Sequence, residues 1–389
     1  MNPPVLRAIL ASTVLAALTA SASAQAERAR PSVAVRAHVG PPNAPHAMRR
    51  VDARRSGQSA TRLSEPPHVE RRLRVALGVG RGLVTLADGG FFIAHTSPRA
   101  SRFDAQGKLL FSVKLPAEPS SAPVVTSAGW FAFAAGGELY VVDDHGKLRS
   151  RTALGENDPS VRSILATRDG GVLLTSYGFL IKVSAFGDVM WRRSTSEGPF
   201  ELLETSAGVL CVTLVGNVYR LDAAGRLTKL GELGGGAGSV TATADGAQLL
   251  ARTGNHRLVS FDLREHRLRA SIEDATLDLD GPILQSSDRL AQVFSNDGLL
   301  VRYRPDGSEA QRIPVDPGSR KAPDPDEVLL LADGRLLIAR DGMDVAVVTP
   351  AGEVSTIPSS ACPDPVGIYA VGPKAVVLAC RSGNMLRIE

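Results

Sequence analysis

Short apolar runs of about five residues, broken by polar turns, fill the chain from about residue 71 to its end. Runs that short, with period-two alternation in many of them, are the pattern of β-strands. They recur in a fixed order. An apolar residue closes one run, a polar turn follows, and a Gly four positions later opens the next. This is seen at Phe103…Gly107, Val142…Gly146, Val183…Gly187, Leu221…Gly225, Tyr303…Gly307 and Val348…Gly352, and at Phe261…Glu265 without the Gly. Self-similarity at a period near 40 residues marks a propeller or a solenoid. A second turn, Asp-Gly, joins the first two runs in many repeats: Asp88-Gly89, Asp169-Gly170, Asp245-Gly246 and Asp333-Gly334. Asp-Gly between alternating runs is a strong hairpin signal. Two hairpin types at fixed offsets make each repeat a four-stranded antiparallel blade.

One unit shows the layout, with strands predicted over 122–127, 130–134, 138–142 and 148–153 and a turn at Asp143-Asp144-His145-Gly146. Seven third strands end near Phe103, Val142, Val183, Leu221, Phe261, Tyr303 and Val348. An eighth unit runs over 366–371, 375–380 and 384–388 and has no fourth strand after it, while 72–77 reads as a fourth strand with nothing before it. Closing the ring removes the exposed edges an open array would leave. The expectation is therefore an all-β, eight-bladed β-propeller of four-stranded antiparallel blades, closed by an N-terminal strand that completes the last blade. Seven blades, with the long seventh repeat irregular, is the alternative.

Composition fits this reading: 38 Gly and 25 Pro suit many strands joined by tight turns. Residues 1–24 read as a Sec-type signal peptide, with Arg7, a short apolar core over 8–20, and Ala22-Ser23-Ala24 at the cleavage position. That core is shorter than a bilayer span, and no later segment has the length or apolarity of a transmembrane helix. Residues 25–70 are rich in Arg, Pro, Ala and Ser and lack apolar periodicity, so a disordered linker is expected before a propeller over 71–389. The net charge of +4 belongs to the arm, since residues 25–72 hold ten Arg against four acids. Arg49, Arg50, Arg54 and Arg55 are candidate contacts for an anionic surface, with a plain solvated linker as the other reading. No aromatic is interleaved with these arginines to stack on bases, which argues against nucleic acid. The protein is expected to be a monomer exported to the periplasm or secreted.

Export places three cysteines in a disulfide-permissive setting. Cys362 and Cys380 lie 18 residues apart within the last repeat; pairing and two free thiols both remain open, because spacing does not establish Cβ geometry. Cys211, within an apolar run, reads as a buried thiol acting as a small hydrophobe.

The repeat core resembles the pyrroloquinoline-quinone-like β-propellers, whose units carry apolar-Asp-x-x-Gly-Lys/Arg-x-x-aromatic. Phe103-Asp104-Ala105-Gln106-Gly107-Lys108-Leu109-Leu110-Phe111 fits throughout. Val183 through Gly187-Asp188-Val189-Met190-Trp191 has Ser184 for the Asp, and Leu221-Asp222-Ala223-Ala224-Gly225-Arg226 keeps the first half. The resemblance implies either a quinoprotein dehydrogenase with quinone and calcium, or a non-enzymatic scaffold similar to the propeller subunit of the outer-membrane β-barrel assembly machinery. The enzyme branch carries a Trp in nearly every blade, long inserted loops and a vicinal cysteine pair. This chain has two Trp and compact repeats, which favours the scaffold branch.

A search for chemistry singles out no catalytic, cofactor-binding or metal-ligating residue, and no cofactor is expected. Asp278-Leu279-Asp280 and Asp324-Pro325-Asp326-Glu327 lack the spaced ligands of a calcium loop. No His pair has zinc-ligand spacing, and there is no Gly-x-Ser-x-Gly elbow. The glycines of 231–238 have neither a following helix nor a Lys to cradle phosphate. The longest connection, 316–325, is a candidate interaction loop through Arg320, Lys321, Asp324 and Asp326, although it would serve equally as a spacer. The reading is an exported, non-enzymatic scaffold for envelope proteins of unknown identity. A quinone- or metal-dependent oxidoreductase and a carbohydrate- or small-ligand-binding propeller are the alternatives.

Overall fold

The computed structural model describes residue 52 and residues 56–389, apart from 76, 156–160, 177, 255, 317–320 and 343. It contains eight four-stranded antiparallel sheets arranged as a ring of blades. Blade 1 has strands Val79–Thr85, Phe91–His95, Arg99–Phe103 and Leu109–Lys114, in sequence order from the inside outwards. Blades 2 to 7 follow the same order over 124–153, 163–194, 199–232, 237–273, 279–314 and 328–357. Blade 8 takes Pro365–Gly372, Ala375–Cys380 and Asn384–Ile388 from the end of the chain and its outer strand, Val69–Arg74, from the beginning. The closing pair sets Val69 opposite Ile388 and Leu73 opposite Met385. His68 and Glu389 extend it by exchanging two backbone hydrogen bonds. The seventh blade is complete but short, with inner strands Val328–Leu330 and Leu336–Ile338. The seven-bladed alternative is therefore set aside.

The hydrophobic core lies between blades. One cluster joins Leu73 and Met385 of blade 8 to Ile93 and Phe103 of blade 1, and another joins Phe92 to Phe131 and Phe133 across blades 1 and 2. The inner strands are covered on both faces, so they read as unbroken apolar runs; Phe131–Ala135 is buried throughout. Outer strands are mostly exposed and polar, as in Arg267–Glu273.

Turn chemistry explains the recurring motif. The Asp104 carboxylate accepts the amides of Gln106 and Lys108, and Gly107 donates to the Asp104 carbonyl. Ser184 accepts the amides of Phe186 and Asp188 in the same geometry, so the departure from Asp leaves the turn intact. The Gly of each such turn lies against the outer strand of the preceding blade. A Cβ on Gly146, whose φ is +84°, would come 2.7 Å from the Phe111 ring. Blade 5 solves the same crowding differently. His266 takes the left-handed conformation at φ 54°, and the facing strand of blade 4 supplies Gly231, where a Cβ would meet Phe261 at 2.7 Å.

The linker expectation needs correction over 56–68. These residues lie along blades 6 to 8 on the side of the Asp-Gly turns, and Leu63 is buried in the core shared by blades 7 and 8. Ser59 donates to the Leu330 carbonyl, Arg62 to Pro373, and the buried Arg335 guanidinium holds the carbonyls of Leu63 and Ser64. Hydrogen bonds collected one at a time leave no periodic trace in sequence, which is why this strap reads as linker. Arg49, Arg50, Arg54, Arg55 and the signal segment lie outside the described residues.

Cys362, in the connection entering blade 8, is bonded to Cys380 at the end of its second strand, with Cα atoms 5.4 Å apart. Replacing both by Ser should lower stability by about 3 kcal/mol from loop-closure entropy alone, measured by denaturant titration of oxidised wild type against the double variant.

Candidate functional site

A cavity of about 320 Å³ opens at the centre of the ring, on the face opposite the Asp-Gly turns. Six blades contribute to it, each from the start of its inner strand or the adjoining connection. Arg81 comes from blade 1, Ser120 and Ser121 from blade 2, Arg162 from blade 3 and Glu201 from blade 4. Blade 7 supplies Asp324, Asp326 and Glu327, and Arg381 reaches in from the turn after the second strand of blade 8. Ring geometry brings these charges together, because the inner strands of neighbouring blades lie side by side around the axis.

Blade 7 enters the mouth through a single 3-10 turn, Pro325–Glu327. Pro at its first position and Asp324 before it start the turn, and the Glu327 carboxylate reaches back to accept the Asp324 amide at 2.7 Å. Glu327 is buried, and desolvation pushes its carboxyl up to about 7; the Asp324 amide bond and Lys321 oppose that rise, while Asp324 and Asp341 add to it. It therefore exchanges a proton near neutral pH. Glu201 accepts the Ser163 hydroxyl at 2.6 Å. Arg381 is fixed from behind, since its amide bonds the Asp364 carbonyl and its neighbour Cys380 is in the disulfide. Arg81, Arg162 and Arg381 bring guanidinium groups to a lining that also carries carboxylates from blades 4 and 7.

Among the described residues, no three His, Cys, Asp or Glu side chains are grouped to hold a metal ion. Neither Trp reaches the mouth. Trp191 lies on the outer strand of blade 3 with its indole donating to the Ala223 carbonyl, and Trp130 carries the Arg149 guanidinium 5.2 Å above its ring. His95 is buried and bonded to the Gly78 carbonyl, and burial lowers its pKa. Cys211 is a buried free thiol, pushed up to about 12 by burial.

The interaction loop read from sequence divides here. Asp324 and Asp326 line the mouth, Lys321 pairs with Asp324 at 3.2 Å, and Arg320 lies outside the described residues. Sequence reasoning missed Arg81, Arg162, Glu201 and Arg381, and named Glu327 only within an acidic cluster weighed for calcium. Four of the five stand just ahead of an inner-strand apolar run, as in Arg81 before Gly82-Leu83 and Glu327 before Val328-Leu329. Charge at that register would have found them, had the repeats been aligned on their inner strands.

A second surface lies on the outer wall. Among the described residues, eight large apolar side chains are prominently exposed, and six of them fall in blades 1 to 3: Leu109, Leu110, Leu148, Phe186, Val189 and Met190. They sit at the start of three consecutive outer strands or in the turn before one. A β-bulge explains the doubled residues. Phe103 pairs with Leu109 and Arg102 with Phe111, leaving Leu110 extra; Met190 is extra in the same way in blade 3.

Fold and site define an eight-bladed propeller with a charged axial mouth and an apolar outer band. Solved propellers share this fold. BamB from Moraxella catarrhalis aligns with a TM-score of 0.65 at 15% identity, over 83% of this chain and 97% of that one. A streptogramin B lyase aligns at 0.54 and 11% identity, over 83% and 97%. The computationally designed protein Ika8 aligns at 0.65 and 10% identity, over 81% and 98%. At such identities the likeness establishes the fold alone. No family model and no curated protein matches the chain.

Glu327 makes stability pH-dependent with a definite sign. Its folded pKa lies above its ordinary value of 4.5, so its contribution is fully present below pH 4.5 and is lost as pH rises through 7. Glu327→Gln, which keeps the acceptor for the Asp324 amide, should narrow the stability difference between pH 5 and pH 8 by on the order of 2 kcal/mol, read from urea titrations at both pH values.

Proposed function

We propose that this chain is an exported, non-enzymatic propeller that binds a partner protein in the cell envelope, docking it on the outer band of blades 1 to 3. The carrying observation is the concentration of exposed Leu109, Leu110, Leu148, Phe186, Val189 and Met190 on three adjacent outer strands, on a wall that is otherwise mostly polar. Exposed apolar side chains concentrated on one part of a surface are a mark of interaction sites. The repeat resemblance read from sequence supports a scaffold role. The Sec-type signal read over 1–24 supports export.

Leu110→Asp combined with Met190→Asp tests the reading. Both sites are solvent-facing, so the melting temperature should stay within a few degrees of wild type. Pull-down from envelope extracts should recover one protein with wild type and lose it with the variant. Absence of any partner at all salt concentrations, together with turnover of an added alcohol or sugar, would sink the proposal. For export, residues 1–30 fused to a reporter that works only outside the cytoplasm should give activity, and Leu10→Arg with Leu15→Arg should remove it.

A further inference from the structure

A cavity of about 430 Å³ lies between blades 5 and 6, on the face of the Asp-Gly turns and away from both surfaces described above. Its apolar part includes Leu250, Ile272 and two small residues, Ala270 and Ala291, and Asp245 and Arg289 stand among its polar residues. The repeats show what is missing from it. Ala270 pairs with Ser260, the residue just before the bulge in the third strand of its blade, as Phe111 pairs with Arg102 just before the bulge in blade 1. Ala291 pairs with the last residue of that strand in blade 6, the position of Phe131 in blade 2. At the junction of blades 1 and 2 those rings fill the space: Phe131 stacks on Phe92 at 4.2 Å between centroids, with Phe111 6.5 Å away. At the junction of blades 5 and 6 the same two positions are methyl groups, and the space is open.

A charge is missing too. Arg102 in blade 1 and Lys182 in blade 3 each bond the Asp of their own blade's Asp-Gly turn, Asp88 at 2.5 Å and Asp169 at 2.7 Å. Ser260 holds that position in blade 5 and turns to Gln248. The Asp245 carboxylate is left with the Thr243 hydroxyl and the Ala247 amide, without a salt bridge among the described residues. The Thr243 hydroxyl, then the Ala247 amide, hold its carboxyl below the ordinary carboxylate value, and Arg289 adds to that through space without a hydrogen bond.

We propose that this cleft binds an aromatic amine, its ring occupying the space that Phe111 and Phe131 fill at the first junction and its ammonium taking the place of the absent basic side chain beside Asp245. The volume falls within the range of small-ligand sites and accommodates an indole. The exposed Arg289 guanidinium favours a ligand that also carries a carboxylate, as a free aromatic amino acid does; an aromatic residue at the N-terminus of a peptide presents the same amine. Gln58 of the N-terminal strap closes part of the wall by bonding the Gln285 carbonyl, so the site belongs to the full chain.

Calorimetric titration of the full chain with tryptamine, tryptophan, N-acetyltryptophan and a Trp-Gly dipeptide tests the proposal. The three free amines should bind, and N-acetyltryptophan should bind at least about tenfold more weakly, a difference of about 1.4 kcal/mol. Tryptophan binding better than the dipeptide assigns a free amino acid, and the reverse assigns a peptide end; both support the site. Ala270→Phe with Ala291→Phe should raise the melting temperature and abolish binding. Should that variant fail to fold, Ser260→Arg supplies the second test, with the same loss expected. Asp245→Asn should erase the preference for the free amine. Failure of every free amine to bind at about 10 mM, or affinity unchanged in Ser260→Arg and Asp245→Asn, would overturn the proposal.

Discussion

The structure depends on covering both faces of every blade. A blade of this chain is apolar on its two broad faces, as the unbroken burial of Phe91–His95 and Phe131–Ala135 shows, so no blade can stand alone in water. Each is stable only between two neighbours, and the first and last must therefore meet. The pairing of Val69–Arg74 with Asn384–Ile388 closes that meeting with a hydrogen-bonded sheet built from both ends of the chain. The strap over 56–68 and the Cys362–Cys380 disulfide both reinforce the same seam, where the ring would otherwise open.

Packing between blades also dictates which residues are free to vary. Turns must hold a small residue against the preceding outer strand, and the exchange of Gly between turn and strand in blades 4 and 5 shows the constraint belongs to the contact, not to one residue. Junction volumes are less constrained. Phe92, Phe111 and Phe131 fill one junction, and Leu250, Ala270 and Ala291 leave another open. A repeat protein can thus carve a ligand space at one junction without disturbing the rest, because each junction is a nearest-neighbour contact.

Two other surfaces follow from the same geometry. The starts of the inner strands converge on the axis, so single charges spaced some 40 residues apart become one mouth with Arg81, Arg162, Glu201, Glu327 and Arg381. The bulge near the start of many outer strands turns adjacent residues outward together, so Leu109-Leu110 and Val189-Met190 face solvent as pairs.

Much of the fold was legible in the sequence by itself. Blade number, the four-strand unit, the Asp and Gly turns and the closing strand all follow from local periodicity, because hairpin chemistry is decided within a few residues of chain. Asp324 and Asp326 were also picked out there, for the length of their loop rather than for their place at the axis. Only the tertiary structure decided the rest. Residues 56–68 bind through scattered backbone hydrogen bonds, the disulfide needed 5.4 Å between Cα atoms, and the mouth and the open junction are assembled from different repeats. Periodicity reports what neighbours in sequence do, whereas charge convergence and missing volume arise between residues that only the closed ring brings together.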